Sequence, residues 1–179
     1  GYTDYSLRVL FDKLSQLPFF RNTIFIITAD HSFPTSQPAL PYYSGIAGQH
    51  RIPLLIISNG IQIGIDSSMV QQHDIFPTIL EITGYNGFMK LFGESLINTN
   101  ADRCIYFFYN NAYYIFDAKY LLIFTPDEGT TGLFDYRNDI NLQQNFVDSF
   151  GNEKNKLETK IKAIIQTYND AVIHNRLCP

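Results

Sequence analysis

Between Thr23 and Ser32 the chain reads TIFIITADHS, a continuous apolar, β-branched run that stops abruptly at an acid and a histidine. A strand with no polar alternation has no face to offer to water, so the run predicts a strand over 23–28 buried on both sides. Such a strand needs a layer above and below it. Leu7, Leu10, Phe11, Leu14 and Leu17 recur ahead of it at three- and four-residue spacing, which predicts an amphipathic helix over 4–16 stopped before Pro18. A helix feeding a buried strand is the α/β pattern.

PLLIIS at 53–58 predicts a second buried strand, ended by the turn pair Asn59-Gly60. The stretch 31–50 between the two carries Pro34, Pro38, Pro41, Gly45 and Gly48, and is too long for a simple connector. Asp74 before IFPTILEIT reads as the cap of a short helix with Pro77 in its first turn and Gly84 at its end. CIYFFY, AYYIF and KYLLIF, separated by Asn110-Asn111 and by Asp117 to Lys119, predict an antiparallel aromatic-rich meander, with a fourth short strand at 132–136. Leu157, Ile161, Ile164, Ile165, Tyr168 and Val172 mark a long helix over 153–174. The expected organisation is a single domain over 1–179: an α/β part at 1–100, the meander at 101–150 and the C-terminal helix at 151–179.

Charge and composition narrow the partners. A chain with 45% hydrophobic and 17% charged residues is globular, and a net charge of -4 without a Lys/Arg run gives no footprint for nucleic acid or an anionic membrane surface. No apolar stretch approaches the roughly 18 residues of a membrane span, so the chain reads as soluble. Cys104 and Cys178 form neither a disulfide framework nor a zinc site; one bridge and two free thiols fit equally. The first residue is glycine, inside what reads as a helical approach, which suggests a piece of a longer protein.

Ligands of open α/β sheets bind beyond the carboxyl ends of the strands, where Asp30 and His31 fall. A hard oxygen and an imidazole nitrogen on adjacent residues can serve one divalent ion. Taken alone they serve equally as a turn, with Asp30 bonding the backbone of the next turn and His31 a polar loop residue. His50 and Arg51 close the long loop on the same side; the planar fork of Arg51 suits an anionic oxygen group, and both residues could instead hold the loop to the sheet. Tyr42 and Tyr43 could line a headgroup pocket or pack as lid residues, and His73 stands beside Asp74 as a second His-Asp pair.

The order Asp30-His31, then Arg51-Ile52-Pro53-Leu54, then Gln72-His73-Asp74-Ile75-Phe76-Pro77-Thr78 resembles the carboxyl-terminal part of the sulfatase and alkaline phosphatase superfamily. It is most similar to the lipoteichoic acid synthase-like, phosphoglycerol transferase branch. Phe92 to Leu96, Gly132 to Tyr136 and a last helix with Tyr168-Asn169 extend the resemblance along the chain. It implies part of an alkaline-phosphatase-like sandwich with a mixed sheet, and an enzyme acting on small-molecule or lipid-linked phosphate or sulfate esters. It further implies Asp30 and His31 as ligands of a divalent metal ion (Mn, Zn or Ca), while the reading of Arg51 and His50 as substrate contacts rests on their own chemistry and place and not on the resemblance.

Arylsulfatases of this superfamily typically carry Asp-Asn where this chain has Asp-His, which favours the phosphatase-like and phosphoglycerol transferase branches over true sulfatases. The latter branch implies a parent anchored in the membrane by helices earlier in the chain, with an extracytoplasmic catalytic domain. The family's Thr, Ser or Cys nucleophile lies well upstream of the Asp-His element, and only a helix and its strand precede Asp30 here. The expectation is a fragment that holds no catalytic nucleophile and is inactive alone. The competing reading is a non-catalytic module that binds a glycan or lipid headgroup.

Overall fold

The structure is a computed structural model and describes residues 1–32, 43–98 and 102–177. The chain divides into two compact units, Gly1–Thr35 with Gln49–Asp66, and Ser36–Gly48 with Ser67–Pro179. No helix among the described residues is long and apolar enough to cross a membrane.

In the first unit, helix α1 (Tyr2–Leu14) and a 3-10 turn (Phe20–Asn22) precede strand β1 (Phe25–Thr28). Phe11 of α1 meets Phe25 of β1 at a ring distance of 5.3 Å, and Phe20 meets Phe25 at 5.2 Å. These rings join helix, turn and strand into one apolar cluster. Strand β2 (Leu54–Ile57) pairs with β1 antiparallel, from Phe25 opposite Ile57 to Thr28 opposite Leu54. Both strands lie within the expected runs but are shorter.

The expected burial of β1 on both faces is not met: three of its residues are half-buried and Thr28 is exposed. Among the described residues β1 pairs with one strand, β2, which is likewise without a buried residue. Both sheets are antiparallel as described, so the expected mixed sheet shows no parallel pair.

The second unit holds a four-stranded antiparallel meander, β3 (Ile105–Tyr109), β4 (Ala112–Phe116), β5 (Leu121–Thr125) and β6 (Gly129–Phe134). Asn110 and Asn111 take positive φ, 48° and 59°, the conformation that two-residue hairpins need. The next turn is held by Asp117, whose Oδ1 accepts from the amides of Lys119 and Tyr120 at 2.8 and 2.6 Å. The register sets Ile115 opposite Leu122 and Leu122 opposite Leu133, a row on one face of the sheet. Leu157 and Ile161, one turn apart on the C-terminal helix (Gly151–Ile173), complete that core.

On the other face Phe116 and Leu121 cluster with Tyr136, and Ile46 and Ala47 pack against them. Those two belong to the short helix α2 (Gly45–Gln49) within the long loop. Gly45 has φ +65° and a Cβ there would overlap the carbonyl of Ile140, so only glycine fits this helix start. Helix α3 (Ile75–Ile82) ends at Gly84 with φ +71°, as its sequence predicts, and the C-terminal helix is α4.

Candidate functional site

Two residues past β1, Asp30 and His31 stand in solvent, their side chains 89% and 76% exposed. Asp30 Oδ1 accepts the backbone N–H of His31 at 2.9 Å, a bond to its immediate neighbour and not to the next turn. It uses one carboxylate oxygen. The other, Oδ2, lies 3.7 Å from His31 Nε2. His31 Nδ1 is 2.8 Å from the carbonyl oxygen of Ser32. A carbonyl only accepts, so Nδ1 is the donor of this contact, and a ring with a single proton then has its lone pair on Nε2.

The local backbone bond and the ligand reading therefore occupy different atoms of the same pair. The donor set suits a divalent ion: two bonds of about 2.1 Å at a tetrahedral angle hold their donors about 3.4 Å apart, near the observed separation. Ser32 O supplies the acceptor for the second ring nitrogen that metal-ligating histidines characteristically have. Among the described residues there is no group of three or more His, Cys, Asp and Glu that could complete a coordination sphere.

Ser32 Oγ donates to the carbonyl of Gln49, the last residue of α2. His50 and Arg51 follow directly and both are exposed, ahead of β2. This bond brings the backbone that follows the Asp-His pair to the residue that precedes the His-Arg pair. Of the loop tyrosines, Tyr43 is 43% exposed and Tyr42 lies outside the described residues.

The motif around Asp74 differs from its expectation. Asp74 is buried and makes no cap bond to α3. Its Oδ2 accepts the amide of Gln71 at 2.9 Å, closing a capping box around the 3-10 turn Gln72–Asp74, while its Oδ1 accepts the amide of Glu94 at 2.8 Å. Arg103 Nη1 lies 3.9 Å from Oδ2, and its Nη2 donates to the carbonyls of Ser95 and Asn98. Thr78 Oγ1 donates to Asp74 O and accepts from the amide of Leu96. A Cβ on Gly93 would overlap the backbone carbonyl of His73.

Sequence reasoning missed this polar lock because its partners lie some 20 residues away; the FGESL run after the motif was the available signal. His73 itself is exposed and stacks on Tyr106 at 5.5 Å. Burial pushes the Tyr106 phenol up to about 12, and its hydroxyl donates to Phe92 O. Burial also pushes the thiol of Cys104 up; Cys178 lies outside the described residues.

With this geometry in view, the known proteins divide into fold and family. In fold the chain is similar to part of a protein in the alkaline phosphatase superfamily from Vibrio parahaemolyticus, which superposes with a TM-score of 0.77 at 22% identity, over 99% of this chain and 42% of that one. A protein solved with its substrate D-glucosamine-2-N,6-O-disulfate gives a TM-score of 0.62 at 17% identity, over 93% of this chain and 39% of that one. In sequence, the sulfatase family model matches residues 1–85. Bovine (Bos taurus) arylsulfatase K is 35% identical over 103 residues, 56% of this chain and 19% of that protein. The chain thus spans about a fifth of that curated relative and about two fifths of these solved structures.

Proposed function

We propose that the chain is part of a metal-dependent hydrolase or transferase of sulfate or phosphate esters, in which Asp30 and His31 are two ligands of a divalent ion. The observation that carries this reading is the 3.7 Å approach of Asp30 Oδ2 and His31 Nε2, with the far ring nitrogen set against the carbonyl of Ser32. A divalent ion bound there would supply Lewis acidity to the nucleophile and to the transferred group. Asp30 contributes negative charge and a hard oxygen, and His31 a neutral imidazole nitrogen. Arg51 and His50 are proposed to contact the anionic ester, Arg51 through its planar fork. The nucleophile and the remaining ligands are proposed to lie outside these 179 residues, which leaves this stretch inactive by itself.

Similarity to arylsulfatase K, and a fold shared with a protein whose substrate is a sulfated glucosamine, favour a sulfate ester. The histidine at position 31, where arylsulfatases typically have asparagine, favours the phosphatase-like and phosphoglycerol transferase branches, with the membrane-anchored, extracytoplasmic parent which the latter implies.

The test is hydrolysis of chromogenic phosphate monoesters, phosphate diesters and a sulfate ester by the full-length protein, with Asp30→Asn beside it. Activity that requires Mn²⁺, Zn²⁺ or Ca²⁺ and disappears in the variant is expected, and the ester turned over names the branch. Equal activity in both proteins would remove Asp30 from the metal site. Binding of a glycan or lipid headgroup that ignores both metal and the variant would favour the non-catalytic module.

A further inference from the structure

We propose that Ser32 is a positioning residue for His31, and that its hydroxyl sets which imidazole nitrogen is offered to the ion; this rests on the metal reading above. The described residues that follow β1, 29–32, lie in no helix or strand. Their order comes from named bonds: Asp30 Oδ1 takes the His31 amide, His31 Nδ1 donates to Ser32 O, and Ser32 Oγ donates to Gln49 O. The Ser32 carbonyl can hold the His31 ring only while its own peptide is held. Among the described residues, the hydroxyl bond to Gln49, 17 residues on, ties Ser32 to another segment.

Without the hydroxyl, the bond from Ser32 to Gln49 is lost, the carbonyl that accepts from Nδ1–H is held less firmly, and the proton redistributes between the two ring nitrogens. A ring with its proton on Nε2 turns a donor, not a lone pair, toward Asp30 Oδ2. The same bond fixes the carbonyl just before His50 and Arg51, so one hydroxyl sets the backbone next to both exposed pairs.

Long-range proton–nitrogen correlation of the imidazoles, at about pH 8 where an unperturbed ring is neutral, reads the tautomer in the metal-free full-length protein. In the wild type the His31 proton is expected on Nδ1. Ser32→Ala should give a tautomer mixture, faster hydrogen exchange at the amides of His50 and Arg51, and about ten-fold weaker Zn²⁺ binding, the low end of what outer partners of a ligating histidine contribute. Ser32→Thr, which keeps the hydroxyl, should restore all three.

A wild-type His31 with its proton on Nε2 overturns the proposal without recourse to any variant. So does a folded Ser32→Ala protein with unchanged tautomer and unchanged affinity. If the tautomer responds to Ser32→Ala while the wild type takes up no metal, the positioning role stands and the metal reading fails.

Discussion

The Ile115–Leu122–Leu133 row and the Phe25–Ile57 ladder are both antiparallel β-structure made from β-branched, leucine and aromatic residues, yet one is sealed and the other is open. The row is fully buried under Leu157 and Ile161. In the unit that holds β1 and β2 no described residue is buried, and Leu55 is 47% exposed. The difference lies in the layering, since hydrophobicity is similar in the two. A four-stranded sheet with a long helix on one face excludes water, whereas two short strands are marginal by themselves. The unit with the stable core carries the buried Asp74 lock, and the open unit carries the exposed Asp30-His31 pair. Candidate chemistry therefore sits on the part of the chain with the smaller stabilising burial.

The largest effect that would sharpen this contrast is expected at Asp74. Asp74→Ala leaves the amides of Gln71 and Glu94 without their acceptor and removes the charge facing Arg103, which keeps its backbone carbonyls, and should cost about 3–5 kcal/mol in urea unfolding. Leu133→Ala, in the sealed row, should follow at about 2–5 kcal/mol, while the half-exposed Leu55→Ala should cost under about 1 kcal/mol. Equal costs at Leu133 and Leu55 would break the comparison.

Native-state hydrogen exchange should rank the same way. Amides paired between β4 and β5 should open only with global unfolding, and those paired between β1 and β2 by local opening.

The smallest effect is a pH dependence on α4. Lys162 and then Thr130, both hydrogen-bonded to the Glu158 carboxylate, hold it below its ordinary range. A depressed folded pKa means that its contribution is present above the unfolded value and is lost as pH falls through the folded one. Glu158→Gln should flatten the acid limb of the stability profile slightly, and an unchanged acid limb would remove the carboxylate from the β6–α4 seam.

Much of the fold was legible because local pattern and tertiary packing agree there. The meander followed from its aromatic runs and the Asn110-Asn111 turn, and the Leu157–Ile161 stripe of α4 from its spacing. The burial of β1 was misjudged because an apolar run shows which layers a strand calls for and not which are present. Asp74 was read as a local cap because Pro77 and the following run fit one; its bonds to Glu94 and Arg103 depend on chain reversal that no window around residue 74 contains. The Asp30-His31 pair was visible at the strand end, but its tautomer was not. The acceptor of the Nδ1 proton is a backbone carbonyl, and every residue has one.

The central claim is that Asp30 and His31 take a divalent ion together. Calorimetric titration of Zn²⁺ and Mn²⁺ into the metal-free full-length protein, beside Asp30→Asn, tests it directly. The account predicts saturable one-site binding in the wild type that is lost in the variant, with unfolding stability unchanged within about 0.5 kcal/mol, as for other exposed substitutions. Identical binding in the two proteins, or none in the wild type, would contradict it.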